Sequence, residues 1–301
     1  MKKFLVLFAL CSSLLFADDL QMRLNRMAMA HHGKVGLFAK NLKTGASVAI
    51  NADAEVQTAS VIKLPIMIET FYQVKNGKHR LDERLTLTKE NQVPGSGVLT
   101  LMQPGLQPTL LDAVSLMIDI SDNTATNLVL DDIGIAAVNS RIEAMGLSRT
   151  HLFRKVFMPD SAPVAEQDRK FGLGRTTPRE MAAAMESIWR CDLGDKRLCS
   201  QMLSILHNQF YRESIPRYLE MIDSSEGESK IANKSGAVDG VRNDVALIET
   251  GGGPIVISVF TWDNEDNSWN VDNSAELLIA RVAKMIVDAW QPVASSPTIS
   301  H

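Results

Sequence analysis

The apolar residues of this chain change period twice, and that order restricts the fold more than any other feature. Lys34 to Ala39 and Ser47 to Ala52 read as strands joined by a turn at Lys43-Thr44-Gly45. From Ser60 to about Trp189 the pattern is mostly helical, most clearly at Leu110 to Ile118 and Met181 to Trp189. Strands then return at Lys230 to Ala237, Val241 to Thr250 and Pro254 to Trp262, with Gly251-Gly252-Gly253 as a turn between the last two. Helical patterns close both ends. One is Leu20 to Met29. The other starts near Asn273, where Asn273 and Glu276 have capping-box spacing and Leu278, Val282, Met285 and Ile286 share a face. The economical arrangement is an α+β fold: one antiparallel sheet built from both termini, flanked by the terminal helices, with an all-helical lobe inserted. The α/β lobe takes about 18–58 and 208–301 and the helical lobe about 59–207, as a single discontinuous domain. A cleft between the lobes is the natural place for a site.

Two irregular stretches interrupt the helical region. One is Val93-Pro94-Gly95-Ser96-Gly97; the other runs from about Leu152 to Thr177 and is long enough to suggest a functional loop. Lys2 and Lys3, an apolar run from Phe4 to Phe16 and then Ala17 read as a secretory signal over residues 1–17. The run is shorter than the roughly 20 residues a spanning helix needs. The expectation is a secreted, periplasmic protein without a membrane span in its mature chain. Losing two lysines takes the formal charge from −4 to −6, which excludes a global basic field for nucleic acid. Three cysteines are too few for a disulfide framework or a four-thiolate zinc site. Cys11 leaves with the signal, so Cys191 and Cys199 either bridge the Asp192-Leu193-Gly194 turn in an oxidising compartment or stay free thiols. The six histidines show no metal-ligand spacing. The tail after Gln291 reads as loose.

Three short patterns carry chemistry: Ser60-Val61-Ile62-Lys63, Ser121-Asp122-Asn123 and Lys234-Ser235-Gly236. On a helix, i and i+3 share a face, which lets Lys63 reach the Ser60 hydroxyl. Serine needs a base to become a nucleophile, and lysine serves as one when burial and a second cation lower its pKa. Lys234 would be that second cation. Pro65 fits only if the helix starts close to Ser60 or bends there. Taken alone, Ser60 and Lys63 read better as a solvated helix start, and Ser121-Asp122-Asn123 as a helix N-cap, a role compatible with catalysis. Lys43-Thr44-Gly45 is a decoy in the first hairpin. Lys234-Ser235-Gly236 lies inside a strand, with glycine where a substrate can approach the backbone.

Together the patterns resemble the penicillin-recognising serine enzymes, most closely the class A β-lactamases. Their intervals of 61 and 113 residues, the run Ser121 to Asn127, and Thr176-Thr177-Pro178 also look like family blocks. The resemblance spans nearly the whole mature chain. It implies a β-lactamase or D,D-peptidase-like fold and hydrolysis of a β-lactam amide through an acyl-Ser60 intermediate, hence antibiotic resistance. It makes Lys63 a general base and Ser121 the proton relay to the leaving nitrogen. Asn123 would hold the substrate's side-chain amide. Lys234 and Ser235, with Arg242, would bind its carboxylate. The N–H groups of Ser60 and Ala237 would form the oxyanion hole. The implied partner is a small β-lactam or a peptidoglycan-like peptide, met by a monomer with no cofactor or metal.

The match fails at one block. Class A enzymes carry Glu-x-x-Leu-Asn before Thr-Thr-Pro, and this chain has none. Aligning Leu152-Phe153-Arg154 with the start of that loop puts Val156 where the water-directing Glu belongs. Glu166 lies in the same loop, as a displaced base or as a solvated carboxylate; Asp160 is a weaker candidate. Acylation therefore has its residues, while deacylation lacks its usual one. That keeps a penicillin-binding or D,D-peptidase-like enzyme, a sensor that stays acylated, and a pseudoenzyme using the cleft for a partner as alternatives.

Overall fold

The computed structural model describes residues 19–219 and 230–291, so the expected signal and the tail after Gln291 lie outside the described residues. Five strands, β1 (Lys34–Asn41), β2 (Ser47–Ile50), β6 (Ile231–Val238), β7 (Val241–Ile248) and β8 (Ile255–Trp262), form an antiparallel sheet of order β2–β1–β8–β7–β6. β1 pairs with β8 from Lys34 opposite Trp262 to Asn41 opposite Ile255, so the chain's end does return to its beginning.

β8 and the second half of β7 read as nearly continuous apolar runs because both faces of the sheet are covered. Successive residues go to opposite faces. Val245, Leu247, Val256 and Phe260 enter one core; Ala246, Ile248, Ile255, Ile257 and Val259 enter the other. The second core is closed by the terminal helices α1 (19–29) and α8 (Ser274–Trp290), through Leu20, Leu24, Leu278, Val282 and Ile286. The first is shared with the helical lobe. At the centre of that lobe, α2 (Lys63–Lys75) is buried over its whole first two turns. A helix apolar all round belongs inside, and α3 (Leu110–Asp119), α4 (Asn123–Ile133), α5 (Ile135–Ala144), α6 (Pro178–Arg190) and α7 (Lys196–His207) pack around it. Pro65 sits in the first turn of α2, where its missing N–H costs nothing.

Three very short strands go beyond the sequence reading. β3 (Val56–Gln57), β4 (His151–Leu152) and β5 (Gly174–Thr176) make a second sheet of order β3–β5–β4. Two or three residues are too few to show a period. This sheet clamps both ends of the long loop to the segment before Ser60, where Thr58 N donates to Gly174 O. Cys191 and Cys199 are bridged, joining the end of α6 to α7. A loop this short contributes roughly 2–3 kcal/mol at most.

The start of α8 corrects one expectation. Asn273 caps the helix, accepting from Ala275 N and Glu276 N. Glu276 does not complete a capping box: it turns inward to Ser214 and Arg242. Asn273 also donates to Asp266 O and Ser268 O. Asn273→Ala is therefore expected to cost about 1–2 kcal/mol, read as a lower Tm in thermal unfolding.

Candidate active site

Ser60 lies in a 3₁₀ turn, Ala59–Ile62, that runs straight into α2. Two anchors place this turn. Asn243 on β7 donates to Gln57 O and Thr58 O. On β6, a β-carbon built on Gly236 would lie 2.8 Å from Ser60 N and 2.9 Å from Val61 N, so only glycine lets the strand come this close. Ser60 N–H is a helix-start donor without an intrahelical partner. β6 is an edge strand, and Ser235 O faces away from β7 because it accepts from Lys234 Nζ at 2.7 Å. Ala237, two residues on, presents its N–H to the same side. The two expected oxyanion donors thus lie on either side of the close contact between this turn and the free edge of β6.

Asp122 is the N-cap of α4, accepting from Ala125 N. Its carboxylate also accepts from Val98 N and Leu99 N, which pins the 93–99 loop to the helix. Gly97 is forced there, since a β-carbon would collide with the Asp122 carboxylate. The cap frees its neighbours for the site. Ser121 holds φ 54° and Ala59, before the nucleophile, 45°, both in the left-handed region that side chains avoid. Strain of this kind is characteristic of functional sites.

Lys63 and Lys234 are both fully buried. Lys63 Nζ donates to Ser121 O (2.7 Å), Ser121 Oγ (3.1 Å) and Asn123 Oδ1 (2.9 Å). All three N–H groups of an ammonium are thus used, and none of these bonds goes to Ser60. Helical adjacency brings Lys63 to the site, but tertiary partners aim it. Lys234 Nζ reaches Ser121 Oγ at 3.3 Å, so one hydroxyl bridges two lysines. Burial, then the nearby Lys234, hold Lys63 well below the ordinary lysine range, with Asp122 opposing. Burial pushes Lys234 down to about 7 against the pull of Asp244 and Asp119. Asp119, at the end of α3, is itself pushed up to about 7 by burial. Asp244 accepts from Asn233 Nδ2 and Ile215 N and is pushed up to about 6, again by burial.

Neutral Lys63 is the form able to take a proton, and charged Lys234 the form able to hold a carboxylate. Lys234 loses its charge as pH rises through about 7. The second-order acylation rate, which reports the free enzyme, is expected to fall on that alkaline side. Lys234→Arg should remove this limb, because arginine keeps its charge. A pH profile of labelling rates checks both.

A cavity of about 1070 Å³ opens in front of these groups, lined by Ser60, Ser121, Asn123, Ser235, Ala237 and Arg242 among others. Arg242 is more constrained than expected. Its guanidinium donates to Val238 O, Val241 O and Ser268 O, faces Glu276 and stacks on Trp269. Little of it is left to meet a carboxylate.

Of the two readings of Glu166, the structure favours the solvated carboxylate. It lies in a 3₁₀ turn, Glu166–Phe171, its side chain is 81% exposed and pairs with Arg169, and it does not line the cavity. Asp160 is exposed and outside the lining too. Val156 does face the cavity, held at both backbone ends by the Asn127 amide. Asn243, Asp244 and Asp119 escaped the sequence reading, and Glu276 was read there only as half of a capping box. The trace was there for two of them: Asn243 and Asp244 follow Arg242 as polar residues in a strand whose other five residues are apolar. Away from the cavity, His79 Nδ1 lies 2.6 Å from Glu83 Oε1 and 3.0 Å from Asp132 Oδ2.

Comparison with known proteins agrees with this geometry. The family model described as "Beta-lactamase enzyme family" matches residues 19–290. The β-lactamase of Bacillus licheniformis is 26% identical over 260 residues, 85% of this chain and 79% of that one. The crystal structure of a β-lactamase from Sphaerobacter thermophilus is 31% identical, with a TM-score of 0.77 over 88% of this chain and 95% of that one. A variant of PBP-A, solved as its acyl-enzyme complex with penicillin G, is 28% identical, with a TM-score of 0.77 over 90% and 96%. With its model matched from the first helix to the last, this chain belongs to the β-lactamase enzyme family.

Proposed function

We propose that the protein is a serine β-lactamase-type hydrolase that opens a β-lactam amide through acyl-Ser60. The carrying observation is the Ser121 hydroxyl held between Lys63 and Lys234, next to Ser60. Neutral Lys63 takes the Ser60 proton as Oγ attacks the carbonyl. The N–H groups of Ser60 and Ala237 donate to the oxyanion; one such donor is typically worth about 3–4 kcal/mol. Ser121 then gives its proton to the departing nitrogen and is reloaded from the lysines. Lys234 and Ser235 hold the substrate carboxylate. Asn123 already donates one Nδ2–H to Pro94 O, leaving the other for the substrate's side-chain amide.

For the second half of the cycle, the Lys63–Ser121 pair is the available base for water. General-base assistance is typically worth about 10²–10⁴-fold, so a poorly aimed base leaves a long-lived acyl-enzyme. Val156 on the cavity wall therefore favours, as a second reading, a penicillin-binding enzyme acting on peptidoglycan-like peptides. The Lys2-Lys3 start with its apolar run and the Cys191–Cys199 bridge support export to an oxidising compartment such as the periplasm.

The deciding experiment incubates the purified protein with a chromogenic cephalosporin and, separately, a fluorescent penicillin. Turnover of many equivalents is the expected result. Stable one-to-one labelling supports the second reading, and no labelling by either compound overturns both.

A further inference from the structure

Phe157 is 63% exposed and holds φ at 52°. A bulky aromatic in the left-handed region is an outlier that calls for a reason. Neither hydrophobic core takes up its ring. The backbone around it is closed into a tight turn: Met158 N bonds Lys155 O, and Ser161 Oγ accepts from Lys155 N while donating to Met158 O. Asn127 ties down Val156 on the inner side. The turn therefore presents the ring rather than letting it trail.

The ring is presented to the mouth of the cavity. A β-carbon built on Gly95 would lie 2.7 Å from Asn123 Nδ2 and 3.1 Å from Phe157 Cε2. Gly95, at φ 91°, thus lets the Phe157 ring approach the Asn123 amide across the gap between two loops. Val156, Met158 and Leu173 continue an apolar wall beside it, and the neighbouring cation Lys155 is already paired with Asp131.

We propose that Phe157 is a specificity-determining residue: its ring is the shelf for an aromatic or bulky apolar substituent on the acyl side of the substrate, just beyond the amide that Asn123 holds. The proposal rests on the acyl-Ser60 reading above. Aromatic pairing of this kind is worth about five- to tenfold in rate. Unlike the groups around Ser60, Phe157 takes no part in proton transfer.

The test uses two penicillins with the same nucleus, one with a benzyl and one with a methyl acyl side chain. Their second-order rates of acylation are measured with the wild-type protein, Phe157→Ala and Phe157→Tyr. The expected result is about five- to tenfold preference for the benzyl compound in the wild type and Phe157→Tyr. Phe157→Ala should lose most of that preference, with the methyl compound's rate changed less than about twofold. An unchanged preference in Phe157→Ala, or an equal loss for both compounds, overturns the shelf and leaves the acyl-serine reading standing. Failure of the wild type to react with either penicillin overturns the acyl-serine reading, and the shelf with it.

Discussion

Ser60→Ala is expected to abolish covalent labelling by a fluorescent penicillin and to lower β-lactam turnover by about 10⁶-fold, as loss of a serine nucleophile does elsewhere. Its effect on folding should be small. The Ser60 hydroxyl makes no hydrogen bond among the described residues, so its removal orphans nothing, and its turn is held by Gly236 and Asn243 through backbone atoms. Substitutions that break no buried partner usually fall within about 0.5 kcal/mol. Labelling by mass spectrometry and thermal unfolding of the same preparation separate the two effects. A labelled Ser60→Ala protein would move the nucleophile elsewhere. An unfolded one would show that the turn depends on this side chain.

Val156→Glu is expected to shorten the lifetime of the acyl-enzyme by about 10²–10⁴-fold, the usual range for general-base assistance. Val156 is 8% exposed and lines the cavity. Its backbone is set by two hydrogen bonds to the Asn127 amide, which a change of side chain leaves in place. A carboxyl here would be partly desolvated, which raises its pKa toward the range useful for a base near neutral pH. Val156→Gln, of similar size but not basic, should leave the lifetime unchanged. Glu166→Gln should as well, because that carboxylate is exposed and paired with Arg169. Release of fluorescent penicilloyl label over time measures all three. If Val156→Glu releases label no faster than wild type, the attacking water approaches from another side, where Lys63 and Ser121 stand.

The sheet, its covering helices and the inserted lobe were legible because their elements were read from periods repeated over about six residues or more. The small β3–β5–β4 sheet was not, because its strands are two or three residues long and owe their pairing to the long loop's return. Ser60, Lys63, Ser121 and Lys234 were legible as motif positions, and the structure does bring them together. What each lysine touches was not. Lys63 stands three residues from Ser60, yet its hydrogen bonds go to Ser121 and Asn123 from the start of α4. Glu166 shows the opposite limit: a carboxylate in the right loop whose side chain points to solvent.

From its order of periods and three spaced motifs, the chain by itself determined a sheet closed from both ends, a helical insertion and a serine–lysine site between them. These features follow from local backbone geometry and residue chemistry, which are read along the chain. Only the tertiary structure decided that Ser121 bridges two buried lysines, that Asp119 and Asp244 oppose the loss of charge on Lys234, that Val156 faces the cavity and that Glu166 does not. Desolvation and charge coupling act through distance and burial, and residues more than a hundred positions apart acquire both only when the fold closes.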